Sequence, residues 1–191
     1  GVALIAHKTN SVEGLTRAQV RDLYTGKMEN WSGVGGKEIS VELVGILLHH
    51  GTSSVFMKFF GLEAEEQGEG AGKTITYWSR EGDKNMTAGA KGVDGNQPSC
   101  AAVITEPGAV SFASIGFAHS LVEKGAPIKL LKLDGVEPTA QNVVSGRYAL
   151  SRPLLVITKG EASGTAKAFI DHLLSAQGQK IVEEKGYIPV Q

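Results

Sequence analysis

The sequence is poor in several features that mark whole classes of protein. Cys100 is the one cysteine among 191 residues, which excludes an internal disulfide and a cysteine-based zinc site. The longest apolar runs, such as 41–48 and 154–157, fall far short of the roughly 20 residues that a membrane-spanning helix needs. The formal net charge is only -1, so the sequence has no excess of basic residues that would indicate nucleic acid as a partner. Any anion site in this chain must therefore be formed by a few neighbouring residues and not by the overall charge.

The sequence does contain an alternation of short β-rich runs and amphipathic helices, which predicts an α/β fold. Residues 2–6 have the pattern of a buried strand, and Thr16 with Gln19 three residues later has the pattern of a helix capping box. Another strand is expected at 39–45, and apolar residues return at helical spacing over 55–60. We therefore expect a strand, a loop and a helix in succession here.

The rest of the chain gives a less regular pattern. Glycine and charge dominate 63–95, where we expect long surface loops with a single strand at 74–78. The β-branched run 154–158 predicts a buried strand, and the last helix is expected at 176–185. A helix is also expected at 163–174, with four apolar residues packed inward: Phe169, Ile170, Leu173 and Leu174.

Three blocks of the sequence resemble a known family. They are LTRAQVRDLYTGKMENW at 15–31, EPGAVSFASIGF at 106–117, and the stretch 133–190, which contains DGVEPTAQNVVSGRYALSRPLLVITKG and FIDHLLSAQGQKIVEEKGYIPV. These blocks are similar to the phosphate-binding proteins of bacterial ABC importers, which have the type II periplasmic-binding-protein fold. Taken alone, the blocks supply helix caps, turns and strand faces and no reactive groups, so function must be argued from the site.

The resemblance implies two lobes joined by crossing strands, with the first lobe incomplete in this chain. Residues 8–120 would form the second lobe, while 1–7 and 121–191 would supply hinge strands and the C-terminal part of the first lobe. The family carries a block of first-lobe strands and helices before the segment that matches 2–8, and this chain lacks it. Either another polypeptide supplies that block, or the chain is a fragment, or the protein has repacked or associates through that face.

The resemblance also implies a function. The family members are periplasmic or extracellular receptors that bind phosphate or a related oxyanion and deliver it to the membrane subunits of an ABC importer. A lipid anchor in the full-length protein is an open alternative. The resemblance implies no cofactor, no nucleic acid and no catalysis.

The family's anion loop guides the choice of site residues. In the family, the second lobe holds the anion with a glycine-arginine pair, a short spacer and GSGT opening a helix; the corresponding stretch here is VGILLHHGTSSVF at 44–56. Gly51, Thr52 and the N–H of Ser53 are the candidate anion nest, with a simple helix N-cap as the alternative. The arginine position is expected to hold Ile46 and the serine of GSGT to be His50. Loss of the arginine contact, about 1.5 to 3 kcal/mol, predicts binding weaker by one or two orders of magnitude.

Two adjacent histidines are the remaining candidates in this loop. His49 or His50 would replace the lost donor and make anion binding tighter as the pH falls, unless both are solvated loop residues. No metal site is expected, because adjacent histidines point in different directions and the spacing places no third ligand. Arg80 and Lys84 are candidates for restoring positive charge, with solvated loop charges as the alternative.

Two other function classes compete with anion transport. The absence of the arginine and of the first-lobe block favours a sensor, adhesion or scaffold module of the same fold. An enzyme is disfavoured because no nucleophile, base and orienting group can be read together, although Ser53, His49 and Glu42 could in principle meet. Asn96, near a predicted helix start, could donate to a ligand or cap the helix.

Overall fold

The computed structural model describes residues 1–82 and 87–190 and has the predicted α/β architecture. Its strands are β1 (Val2–His7), β2 (Gly14–Leu15), β3 (Glu42–Ile46), β4 (Leu62–Gln67), β5 (Thr74–Ser79), β6 (Thr87–Val93), β7 (Ala109–Ser114), β8 (Ile128–Leu130) and β9 (Lys132–Leu133). Its helices are α1 (Arg17–Tyr24), α2 (Gly51–Phe60), α3 (Asn96–Thr105), α4 (Ile115–Glu123), α5 (Ala140–Val144), α6 (Gly164–Leu174) and α7 (Ala176–Glu184). Lys84 lies outside the described residues.

A seven-stranded sheet in the order β4-β5-β6-β3-β7-β1-β8 forms the centre of the fold. Strands β6, β3 and β7 are parallel neighbours, whereas β1 runs antiparallel to β7 and β8. Each of the three parallel strands is followed by a helix: α3 after β6, α2 after β3 and α4 after β7. Because the carboxyl ends of parallel strands meet at one edge, the N-termini of these three helices share that edge. We call it the carboxyl edge.

Aromatic packing fixes α2 against this sheet. The rings of Phe56 on α2 and Phe112 on β7 stack with their centroids 3.9 Å apart. Tyr24 from α1 meets Phe56 edge-on at 4.8 Å and Tyr77 from β5 at 5.2 Å. These side chains and Phe60 are fully buried. The contacts anchor α2 through its buried face, and so set where its first turn lies.

Several local predictions are confirmed. The Thr16 hydroxyl accepts from the Gln19 N–H, and the Gln19 side-chain oxygen accepts from the Thr16 N–H. This is the reciprocal pair of bonds that defines a capping box. The last helix, α7, ends one residue before the predicted boundary, and Gly186 beyond it has the left-handed φ of 78°. Cys100 is buried, and burial raises the pKa of its thiol to about 11.

The strand predicted at 74–78 is present as β5, but the long loops predicted around it over 63–95 are wrong. Strands β4, β5 and β6 fill most of this segment as an antiparallel extension of the sheet. Strand β4 has the sequence LEAEEQ and β6 has TAGAKGV, so glutamate and glycine hide the alternation that marks a strand. Tertiary pairing overrides these low strand propensities.

The prediction of a buried strand at 154–158 is also wrong. This segment forms no strand, and the side chains of Leu154 and Ile157 are 70% and 86% exposed. A helix follows at α6 as predicted, but its apolar face is not packed inward, because none of residues 164–174 is buried. The apolar pattern is real, but Phe169 and Leu174 are exposed and Ile170 and Leu173 are only half-buried.

The turn after α7 approaches the body of the fold closely. A Cβ built on Gly116 of α4 would overlap the carbonyl of Gly186, so the turn after α7 lies directly on α4. None of the helices in the part of the chain described here is both long and apolar enough to cross a membrane.

Candidate functional site

The first turn of α2 lies on the carboxyl edge, directly after β3. The Leu47 N–H donates to the Val93 carbonyl at 2.9 Å, and the His50 N–H donates to the Leu47 carbonyl at 3.1 Å. These bonds turn the chain from β3 into the helix. Position and orientation of the helix start are therefore set by the sheet.

Backbone donors are left open at this helix start. His50 is the N-cap residue, but its side chain makes no cap hydrogen bond, and the first helical bond runs from the Ser54 N–H to the His50 carbonyl at 3.3 Å. The N–H groups of Gly51, Thr52 and Ser53 have no hydrogen-bond partner among residues 1–82 and 87–190, although Ser53 as a whole is fully buried. Unpaired N–H groups and the positive end of a helix dipole both favour negative charge at such a point.

An arginine from a distant part of the chain lies at the same point. A Cβ built on Gly51 would overlap Nη2 of Arg152 and would lie 3.5 Å from its Cζ, so the guanidinium occupies the space in front of Gly51. No salt bridge within 4.0 Å joins Arg152 to any described carboxylate. A guanidinium and a helix N-terminus both carry positive potential, so their convergence favours an anion between them.

Hydrogen bonds to β1 explain how Arg152 reaches this edge. The Val2 N–H donates to the Leu150 carbonyl at 3.0 Å, and the Tyr148 hydroxyl donates to the Val2 carbonyl at 2.9 Å. Since β1 is antiparallel to β7, its first residue lies at the carboxyl end of β7. The chain leaving Leu150 is thus held at the carboxyl edge, about two strand spacings of 4.8 Å from β3.

The two histidines engage an aspartate that the sequence analysis missed. His50 Nε2 lies 2.6 Å from Asp94 Oδ1, and His49 Nε2 lies 3.3 Å from the same oxygen. The hydrogen bond from His50 lowers the pKa of the Asp94 carboxyl, and the charges of His49, His50 and Lys73 act in the same direction. The sequence spacing placed no third ligand beside the histidine pair, but the structure does, because the ligand atoms of His49, His50 and Asp94 all lie within 4.8 Å of one another.

The sheet register brings Asp94 to the histidines. Ile46 is paired with Val93, so the residues that follow β3 and β6 are neighbours at the carboxyl edge. Asp94 directly follows β6, so the pairing of β6 with β3 is what places it here. It was missed because β6 was expected to be a loop.

Comparison with known proteins assigns the fold. A family model described as the PBP superfamily domain matches residues 1–177. The chain belongs to the PBP superfamily. Its similarity to phosphate-binding proteins, expected from the three sequence blocks, is confirmed by the relatives that follow.

Curated relatives in the PBP superfamily are named for phosphate binding. The phosphate-binding protein PstS of Bacillus subtilis is 32% identical over 191 residues, which are 100% of this chain and 55% of that protein. The phosphate-binding protein PstS 2 of Streptococcus agalactiae is 33% identical over 141 residues, 73% of this chain and 42% of that protein. The chain thus spans about half the length of the curated relatives it matches.

Solved structures of phosphate-binding proteins have a similar fold. A phosphate ABC transporter substrate-binding protein from Clostridium perfringens, with bound phosphate, superposes with a TM-score of 0.76 and 30% identity, over 100% of this chain and 69% of that one. An ABC-type phosphate transport receptor from Vibrio cholerae gives a TM-score of 0.75 at 28% identity, over 100% of this chain and 70% of that one. The predicted periplasmic-binding-protein type of α/β fold is therefore confirmed, while the division into lobes stays a prediction.

The side chain of Ile46 does not face the start of α2. Its side chain is fully buried in the core. The neighbouring Gly45 packs against Tyr77, since a Cβ there would overlap the phenolic oxygen. An arginine at position 46 would therefore enter the core, while the equivalence of Ile46 with the family's arginine stays a prediction.

Ser53 can offer only its backbone to a ligand. Its hydroxyl is buried and donates to the Ile46 carbonyl at 2.6 Å, with the Leu47 carbonyl at 3.1 Å. Glu42 lies at the opposite end of β3 from His49, roughly 16 Å of extended chain before Leu47 at about 3.3 Å per residue. The catalytic grouping of Ser53, His49 and Glu42 therefore does not form.

Two further candidates lie elsewhere or have other partners. Arg80 follows β5, at the edge opposite the candidate site, and its Nε lies 2.6 Å from Glu63 Oε1. The side-chain oxygen of Asn96 accepts from the Ser114 N–H at 3.0 Å, so Asn96 caps the start of α4 and not its own helix, whose N-cap is Gly95.

Proposed function

We propose that this chain is the greater part of an extracytoplasmic solute-binding protein that binds phosphate or a related oxyanion for ABC-type import. One observation carries the proposal: the open N–H groups of Gly51, Thr52 and Ser53 converge with the guanidinium of Arg152 at the carboxyl edge. The names of the relatives, which are phosphate-binding proteins, support the choice of ligand.

Arg152 supplies the charge that the loop itself lacks. In the family, an arginine within the anion loop provides this contact, but here Ile46 is buried and the loop carries no arginine. A guanidinium donates in a planar fork that matches two oxygens of a phosphate-like ion, and such a charged hydrogen bond is worth about 1.5 to 3 kcal/mol. The arginine thus reaches the anion from the C-terminal segment.

The proposal extends to location and partners. We place the protein in the periplasm or outside the cell, with the membrane subunits of an ABC importer as its partner, because the relatives include ABC transporter components. Residues 8–120 would form the second lobe, as the family resemblance implies. Any lipid anchor would belong to the full-length protein.

An uncovered apolar groove supports the proposal that more polypeptide completes the first lobe. The exposed run from Leu154 to Val156 and the apolar face of α6 line this groove together with Tyr187. Each such side chain gains about 1.5 to 3 kcal/mol only when it is buried. First-lobe segments, whether from the same gene product or from a second chain, would cover it.

Calorimetric titration tests the function. We expect heat of binding with phosphate, and a dissociation constant at least about ten-fold larger for Arg152→Ala, since this variant loses the charged contact. Arg147→Ala is the matched control, because Arg147 is an exposed arginine five residues earlier whose Nε lies 3.4 Å from Ser145. Binding of neither phosphate nor sulfate would reject the proposal and favour a scaffold or sensor module. Equal weakening by both variants would reject the role of Arg152.

A further inference from the structure

Three side chains with metal-ligating atoms meet on the carboxyl edge, in the turns after β3 and β6. They are His49, His50 and Asp94, and their ligand atoms all lie within 4.8 Å of one another. We propose that these three residues bind a divalent transition-metal ion, with Zn²⁺ as the preferred ion. The proposal does not depend on anion binding.

Two of the three spacings between ligand atoms are close to those around a tetrahedral ion. Bonds of about 2.0 to 2.1 Å at tetrahedral angles place ligand atoms roughly 3.4 Å apart. His49 Nε2 and Asp94 Oδ1 are already 3.3 Å apart, and the 2.6 Å hydrogen bond between His50 Nε2 and Asp94 Oδ1 needs to open by less than about 1 Å. All three side chains are at least one-third exposed, so small rotations can close the set around an ion.

The donor set selects the class of metal. Two imidazole nitrogens and one carboxylate oxygen suit Zn²⁺, Cu²⁺ and Ni²⁺, whereas Mg²⁺ and Ca²⁺ prefer oxygen ligands alone. With three protein ligands, a zinc ion keeps one position open for water or an anion. The carboxylate also supplies the negative charge that offsets the positive end of α2 beside the ion.

Backbone contacts hold the ligands together before any ion arrives. The bond from the Leu47 N–H to the Val93 carbonyl, 2.9 Å, joins the two turns that carry them. Cε1 of His50 lies 3.5 Å from the position that a Cβ on Gly95 would take, so the ring packs on the turn that contains Asp94. The imidazole rings of His49 and His50 have centroids only 4.2 Å apart. Little rearrangement is then needed for binding.

The experiment is a titration of the chain with ZnCl₂ in a buffer without phosphate. We expect one saturable site per chain, removed by chelator, with binding at least about ten-fold weaker in His49→Ala, His50→Ala and Asp94→Asn. His172→Ala is the matched control, because His172 is an exposed histidine on α6, and it should bind zinc as the unchanged chain does. Melting temperatures of all variants establish that they fold.

Three outcomes would overturn the proposal. The first is the absence of saturable zinc binding. The second is zinc binding that survives in both His49→Ala and Asp94→Asn, which replace side chains exposed by 63% and 70% and so leave the fold intact. The third is Mg²⁺ binding as tight as Zn²⁺ binding, which would contradict the donor chemistry.

Discussion

The substitution Gly51→Ala separates anion binding from stability. Gly51 begins α2 with helical backbone and is not among the glycines with positive φ, so alanine fits its conformation and should hold or slightly raise the melting temperature. The added methyl group overlaps Nη2 of Arg152, the far end of a flexible side chain. The guanidinium must therefore move away while the helix stays in place.

The expected loss follows from the contact that is displaced. A charged hydrogen bond of about 1.5 to 3 kcal/mol corresponds to roughly a 10- to 150-fold rise in the dissociation constant for phosphate. Calorimetric titration measures this rise, and thermal unfolding measures stability on the same sample. In an Arg152→Ala background, Gly51→Ala should have little further effect, because the displaced group is already gone. Undiminished phosphate binding in Gly51→Ala would refute the reasoning.

Three other substitutions test the surroundings of the site. Ile46→Arg places an unpaired charge in the core and should destabilise the fold by about 3 to 5 kcal/mol in denaturant unfolding, whereas Ile39→Arg, at a side chain 39% exposed, should cost little; equal effects would show that Ile46 is misplaced. Tyr77→Phe removes a buried hydroxyl that has no hydrogen-bond partner among the described residues, so unfolding should show equal or up to about 1 kcal/mol greater stability. Asp94→Asn should make the melting temperature depend less on pH in the acid range. The native pKa of Asp94 lies below its ordinary 3.8, so its contribution is present above about pH 4 and is lost as the pH falls further; an unchanged profile would contradict this.

Local rules predicted the parts of this fold that depend on neighbours in sequence. The capping box of Thr16 and Gln19 and the glycine end of α7 at Gly186 were both predicted correctly. They involve residues a few positions apart, for which the sequence carries the whole signal. The alternation of strands and helices likewise gave the α/β class.

Long-range pairing accounts for what the sequence could not supply. Strand β6 is held by its neighbours β3 and β5 and not by its own glycine-rich sequence, so Asp94 could not be placed beside His50 in advance. Arg152 reaches Gly51 because hydrogen bonds at Val2 hold the segment around Leu150 to the sheet. No local pattern links residues that lie about a hundred positions apart.

In segment 154–158 a strand was predicted from the sequence but does not form. Its β-branched pattern predicted a buried strand, yet the described residues offer it no strand partner and no cover. A strand pattern indicates what a segment can pair with, but pairing requires an available edge. The pattern supports the proposal that first-lobe polypeptide completes this face.

Amide resonances of the ¹⁵N-labelled chain during a phosphate titration test most directly whether the anion binds at the start of α2. The account predicts the largest shifts at Gly51, Thr52 and Ser53, whose N–H groups lack protein partners within the described part of the chain. Gly164 and Thr165, which open α6 with the same Gly-Thr pair, should stay unchanged. Shifts at α6 without shifts at α2 would contradict the account.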